Sequence, residues 1–177
     1  MKAILLRRPG GPEALEYVEV PTPVPGEGRV LVKADTIGVS MPEVLVRRGT
    51  YAWMPPLPAI PGIELSGTVV AHGPNTAEPA LGQPVFVRAR DLPVRAGCYA
   101  EYIAVPARAA HPLPPGCLLE AAVCLGRSAR ERTRASPPGP RGLPVFAGRG
   151  NRVTAPTWWI VIEPALPGYG TARAGSH

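Results

Sequence analysis

Residues 29–37 read RVLVKADTI, and the alternation in this stretch decides the fold. Val30, Val32 and Ala34 alternate with Arg29, Lys33 and Asp35, the pattern of a strand with one face buried and the other wet. Leu31 breaks it. Just downstream, S-M-P-E at Ser40–Glu43 has the form of a capping box. The Ser40 hydroxyl can accept from the Glu43 N–H while the Glu43 carboxylate reaches back to the Ser40 backbone. Pro42 is tolerated in a first turn. Glu43 and Arg47 stand four apart in the favourable order, and Gly49 supplies a stop, so a two-turn helix is expected over Met41–Arg48. Upstream, Pro21, Pro23 and Pro25 lack the N–H that a central strand must donate. PTPVPGEG is therefore an edge or extended linker running into a Gly turn. Farther out, KAILLR (2–7), LEYVEV (15–20), ELSGTVVAH (64–72), PVFVRA (84–89) and CYAEYIAVP (98–106) are short β-branched and apolar runs between turn clusters, and each reads as a strand. A second short helix is expected over Leu118–Leu125. No internal repeat is found, and this order of elements predicts a mainly β barrel or sandwich with small helical insertions.

Composition agrees with that reading. The 177 residues include 25 Pro and 20 Gly, about a quarter of the chain, which argues against a helical bundle. Hydrophobic residues make up 45% and charged ones 18%, enough apolar material for one modest core. No window approaches the 18 or so uncharged apolar residues of a membrane span. In MKAILLRRPGG the arginines follow a short apolar stretch, the wrong order for a signal peptide. The expected setting is the cytoplasm, with no membrane partner. Cys98, Cys117 and Cys124 form no CxxC pair, which disfavours a disulfide framework and a four-thiolate zinc site; free thiols are expected. The net charge of +6 is not spread evenly. Residues 1–126 balance 11 Lys and Arg against 11 Asp and Glu, and residues 127–177 carry eight Arg against two Glu. The strand and helix patterning also stops after Gly126. Two segments follow from this: a domain over 1–126, and an Arg-, Pro- and Gly-rich tail over 127–177 that is expected to be irregular.

Six ordered blocks carry a resemblance: GGPEALEYVEVP, GVSMPEVLVRRGTY, PLPAIPGIELSGTVVAHG, LGQPVFV, GCYAEYIAVP and LPPGCLLEAA. Together they resemble the N-terminal GroES-like domain of the medium-chain dehydrogenase/reductase superfamily, nearest its zinc-free quinone oxidoreductase branch, over roughly residues 1–125. The resemblance implies a GroES-like, partly open β-barrel with one or two short helices. In that family the barrel packs against a Rossmann domain. NADPH lies between the two, and hydride passes to a quinone or an activated (enoyl-type) double bond. Residues 127–177 offer no βαβ unit with a Gly-rich turn, so on this reading NADPH is not bound by the chain alone and the domain is inactive by itself. The resemblance also bears on zinc. In the related alcohol dehydrogenases catalytic zinc takes Cys and His from the positions filled here by Ser40 and Ile63, and Ser and Ile do not replace them even with Glu64 retained. No metal is expected, and His72, His111 and His177 are scattered. Ser40 stands where quinone reductases commonly carry an asparagine near the nicotinamide, Tyr51 matches a tyrosine lining the substrate cleft, and Glu64 matches an acidic residue beside it. Each has a structural alternative. Ser40 is explained as a helix N-cap, Tyr51 as an aromatic packing on Trp53, and Glu64 as a solvated carboxylate at a strand end. Gln83 replaces part of the family's Gly-Asp turn, which weakens the local turn more than it challenges the fold.

The tail admits several readings. Its abrupt loss of pattern fits an out-of-frame or truncated terminus in place of a nucleotide domain. TWWIVIE, Thr157–Glu163, is its one credible strand, with Trp158 and Trp159 able to cover apolar surface left bare. A nucleic-acid arm, with Trp158, Trp159 and Tyr169 stacking beside the arginines, is the weaker reading because those arginines are dispersed through Pro and Gly rather than lining one face. A catalytically silent barrel that acts by association, or self-associates through exposed apolar surface, is the remaining alternative.

Overall fold

The computed structural model describes residues 1–125 and 160–162. The readings that rest on the other tail residues, Trp158 and Trp159 among them, lie outside the described residues. Strands β1 (Lys2–Leu6) and β2 (Leu15–Glu19) form a two-stranded antiparallel sheet. A second, six-stranded sheet contains β3 (Arg29–Val39), β4 (Glu64–His72), β5 (Pro84–Arg88), β6 (Tyr102–Pro106), β7 (Ala110–Pro112) and β8 (Ile160–Ile162). Its order is β6-β3-β4-β5-β7, with β8 also on β3. The helices are α1 (Met41–Arg48) and α2 (Leu119–Leu125). Beyond its pairing with β2, β1 is laced to the larger assembly. The Ile4 N–H donates to the Tyr99 carbonyl at 2.9 Å, and Leu6 and Ala59 exchange bonds of 2.8 and 3.0 Å. The architecture is the mainly β, partly open barrel that the sequence predicts.

Strands β1–β6, both helices, and β8 within TWWIVIE fall where the sequence puts them. Val30 and Val32 are fully buried with Leu65, Val69, Val85, Val87 and Val105, forming the barrel interior. Each such valine contributes on the order of 1.5–3 kcal/mol through removal of its side chain from water. Gly49 closes α1 in the left-handed conformation at φ 74°, its N–H bonded back to the Val46 carbonyl at 3.0 Å. The Gln83 turn forms as well, with the Gln83 N–H donating to the Ala80 carbonyl at 3.1 Å.

The simple alternation of β3 does not run its full length. Ala34 pairs with Gly67 and Thr36 with Ser66, so Asp35 is an extra residue with no partner on β4. This bulge shifts the phase of the strand. Past it, Ile37 packs against the barrel core, and Thr36, fully buried, pairs with Ser66 on the opposite face. That face is covered by α2. Val123 and Ala122 pack on Phe86, and Ser66 Oγ donates to the Leu119 carbonyl at 2.7 Å, fixing where the helix starts. A second irregularity lies between Leu31 and Val32. The unexpected strand β7 pairs with β5. Near it Asp91 accepts from Arg88 Nη2 at 2.8 Å, and His111 Nε2 lies 2.8 Å from the same carboxylate oxygen. Burial pushes the Asp91 carboxyl up, but its bonds to His111 and Arg88 outweigh that, and its pKa lies below the ordinary value.

Two outcomes follow. A Cβ on Gly67 would fall on the Lys33 carbonyl oxygen of the neighbouring strand, backbone that cannot swing aside. Gly67→Ala is therefore expected to destabilise by about 1–3 kcal/mol, read by urea unfolding. Because the Asp91 pKa is depressed in the folded state, its stabilising contribution is present above the unfolded carboxyl value and is lost as pH falls through the folded one. Asp91→Asn is expected to lower Tm at neutral pH and to flatten the acid limb of a Tm-against-pH curve, whereas an unchanged acid limb would show that the cluster is not coupled to folding.

Candidate functional site

At the β3–α1 junction the chain passes directly from strand to helix, which puts Ser40 at the helix start and Glu43 one turn inside it. The capping box forms, but its strongest bond runs opposite to the expected direction. Ser40 Oγ donates to Glu43 Oε2 at 2.7 Å, and the Ser40 N–H donates to the same oxygen at 2.9 Å. The other carboxylate oxygen, Oε1, accepts from the Ile63 N–H at 3.1 Å. Glu43 is thus a buried hub, 5% exposed, that ties the start of α1 to the segment entering β4. Burial raises its pKa, and the bonds from Ser40 and Ile63 oppose that rise without cancelling it.

Glu64 follows Ile63 at once. It is 3% exposed, which overturns the reading of a solvated strand-end carboxylate. A side chain on Gly38 would collide with Glu64 Cγ at 2.6 Å and Val123 Cγ1 at 2.7 Å, so the absence of one there lets Glu64 lie between β3 and α2. Nearby, Cys98 is fully buried. Burial raises its thiol pKa, and the Glu43 and Glu64 carboxylates push it in the same direction. The Tyr99 phenol is raised for the same reasons, and its Oη is buried with no hydrogen-bond partner among the described residues. Two carboxyl groups, a neutral thiol and a neutral phenol make this interior hostile to a further negative charge.

Tyr51 sits elsewhere. Its ring meets Trp53 edge-on with centroids 5.7 Å apart at 66°, and the Arg95 guanidinium lies 4.5 Å above the Trp53 ring. Glu43 joins Ser40 to Ile63, with Glu64 next in the chain, while Tyr51 belongs to a separate aromatic cluster whose Trp53 is half exposed. The sequence marks Glu43 as a capping residue and as the partner of Arg47 one turn on, but Arg47 Nη1 donates instead to the Gly10 carbonyl at 2.7 Å. The bond from Glu43 to a backbone N–H twenty residues on leaves no mark in local sequence, although a capping-box glutamate is the signal that singled the residue out.

The ligand chemistry does not fit zinc. Ser40 has its hydroxyl proton committed to Glu43, Ile63 contributes only a backbone N–H here, and among the described residues no group of three His, Cys, Asp or Glu could hold a metal ion. His72 Nε2 bonds the Pro79 carbonyl at 2.7 Å and His111 pairs with Asp91; His177 lies outside the described residues. The three cysteines are free thiols. A dinucleotide phosphate does not fit the start of α1, because the Glu43 carboxylate already occupies the Ser40 N–H that a phosphate oxygen would need. Among the described residues no helix is long and apolar enough to cross a membrane.

Comparison with known proteins agrees with this geometry. The quinone oxidoreductase of Lama guanicoe is 34% identical over 115 residues, covering 64% of this chain and 34% of that protein. The crystal structure of Escherichia coli quinone oxidoreductase complexed with NADPH is 28% identical and superposes with a TM-score of 0.62 over 70% of this chain and 36% of that one. The quinone oxidoreductase from Thermus thermophilus, also solved in complex with NADPH, is 34% identical with a TM-score of 0.59 over 77% of this chain and 42% of that one. The chain thus spans about a third of the length of the curated relatives it matches. Residues 26–115 match the alcohol dehydrogenase GroES-like domain, and the chain belongs to that family as an N-terminal domain of the medium-chain dehydrogenase/reductase type, in the quinone oxidoreductase branch.

Proposed function

We propose that this chain is the substrate-cleft half of an NADPH-dependent, zinc-free quinone or enoyl reductase acting in the cytoplasm, and that by itself it is inactive. The observation that carries this reading is the Glu43 hub. It bonds Ser40 and Ile63, two of the positions where zinc-dependent members would place ligands, to a carboxylate that holds a serine hydroxyl instead of a metal, with Glu64 next along the chain. In this reading Ser40 is a substrate-facing group. With its proton given to Glu43, the hydroxyl oxygen keeps lone pairs for a donor in the cleft, and Glu43 fixes where that oxygen points. Tyr51, braced by Trp53, offers a planar apolar surface for a conjugated ring. The acid-rich interior favours an uncharged conjugated carbonyl compound over a carboxylate- or phosphate-bearing one.

NADPH would supply the reducing chemistry, but the described residues contain no cradle for its pyrophosphate, so the reading assigns the cofactor to a nucleotide-binding domain outside them. A non-catalytic GroES-like interaction module is the second reading, favoured by the apolar groove beside β3.

Titration of NADPH into the chain, followed by cofactor fluorescence, is expected to give no saturable signal up to about 100 μM, with a full-length quinone oxidoreductase as the positive control. Saturation at micromolar concentration, or quinone-dependent NADPH oxidation, would overturn the assignment of the cofactor to another domain. The Glu43 hub has its own test. Its folded-state pKa is raised, so its contribution to stability is fully present below the unfolded carboxyl value, about 4.3, and is lost as pH rises through the raised one. Glu43→Gln is expected to cost about 1–3 kcal/mol at mildly acidic pH, because an amide cannot accept from both Ser40 and Ile63. It should also abolish the decline in stability on going to higher pH, read by urea unfolding across a pH series.

A further inference from the structure

The segment between Asp91 and Tyr99 presents one arginine in a fixed setting. The Leu92 N–H donates to the Ala89 carbonyl at 3.0 Å, the Ala96 N–H to the Val94 carbonyl at 2.8 Å and the Gly97 N–H to the Pro61 carbonyl at 3.2 Å. The second of these bonds closes a three-residue turn centred on Arg95, so the backbone that carries this side chain is held from both sides. The side chain is held as well. Its guanidinium lies 4.5 Å from the centroid of the Trp53 ring, and Trp53 is in turn met edge-on by Tyr51. What the guanidinium lacks is an anion. Arg88 is paired with Asp91 at 2.8 Å, and the same carboxylate oxygen is shared with His111. Among the described residues nothing accepts a hydrogen bond from Arg95. Stacking engages only the flat face of a guanidinium, and its N–H donors, which lie in the plane, stay available. Open apolar surface stands beside them, with Trp53 55% and Val94 46% exposed.

We propose that Trp53 and Arg95 form a binding site for a small aromatic carboxylate, whose ring covers the exposed Trp53 and Val94 surface while its two oxygens take parallel N–H bonds from Arg95. A planar cation with unused donors in a fork is matched by a planar anion that accepts from both at once. A free phosphate would engage the cation and leave the indole bare, and an uncharged ring would do the reverse. The occupant is a free acid rather than a peptide end, because one indole and one valine side chain cover a bicyclic ring and little more. Because the turn and the stacking already fix Arg95, its ordering on binding costs little, unlike that of a loose surface arginine. The charge here is opposite in sign to that of the interior around Glu43 and Glu64, where a further negative charge is disfavoured. This recognition involves neither NADPH nor hydride transfer, so it stands apart from the reductase reading.

The test titrates naphthoate, and the uncharged naphthamide of the same shape, into the full chain and follows the Trp53 indole and Arg95 Nε–H signals by heteronuclear NMR. Naphthoate is expected to bind with a Kd on the order of 0.1–1 mM, and the amide about tenfold more weakly. Arg95→Gln should abolish the preference for the acid. Arg95→Lys, which keeps the charge but not the planar fork, should lose most of it. Trp53→Ala should weaken both ligands. The backbone signals of Val30, Val32 and Val105 should stay unmoved in every variant, reporting an intact barrel. Equal affinity for acid and amide would overturn the proposal, as would naphthoate binding that persists in Arg95→Gln. Binding that disappears when Trp158→Ala and Trp159→Ala are combined would overturn it too, since the ring would then lie on the tail. A short peptide ending in Trp that binds more tightly than naphthoate would overturn the choice of a free acid as occupant.

Discussion

Everything in this domain is arranged around one strand that has to serve two surroundings. The eleven residues of β3 run between β6 and β4 at one end, then past β6 into a region where α2 covers one face and the groove opens on the other. A strand that kept a strict two-residue period could not satisfy both ends with this sequence. The bulge at Asp35 resolves the conflict by resetting the phase, so that Ile37 joins the apolar interior while the phase on the other face sets Thr36 opposite Ser66 and leaves room at Gly38 for Glu64. The placement of the buried carboxylates, the seating of α2 and the exposed edge that β8 occupies all follow from that reset.

How much of this could be read in the sequence depends on whether the deciding interaction is local. The strands containing Val30, Val69, Val85 and Val105 announce themselves through β-branching and alternation. The start and end of α1 are carried by Ser40, Glu43 and Gly49, all within one short window. The three residues of β7 gave no signal, since Ala-His-Pro has neither length nor alternation and pairs only because β5 offers an edge. The bulge was equally silent. Asp35 looks like one more wet position in RVLVKADTI, and only the partner strand reveals that it has no opposite number.

The candidate site divides along the same line. The link between Tyr51 and Trp53 was legible because the two aromatics are neighbours in sequence and a ring seeks an edge. The burial of Glu64 was not, because it depends on Val123 arriving from fifty-nine residues away onto a glycine that leaves room for it. Glu43 was noticed for the lesser of its two tasks. A capping glutamate is normally solvated, and what buries this one is the segment around Ile63, whose backbone N–H it holds. Pairing rules that act over three or four residues are written in the sequence, whereas those acting through backbone atoms of distant segments become visible only in space.

The phase reset at Asp35 also sets how this region can change over evolutionary time. Because one unpaired residue decides which way every later side chain of the strand faces, adding or removing a single residue between Lys33 and Thr36 would turn the far end of β3 inside out. Exchanges of residue type at constant length, even at Asp35 itself, leave that orientation alone. Homologous sequences should accordingly vary in identity at the exposed Asp35 while keeping their spacing fixed, the reverse of what is usual for surface loops.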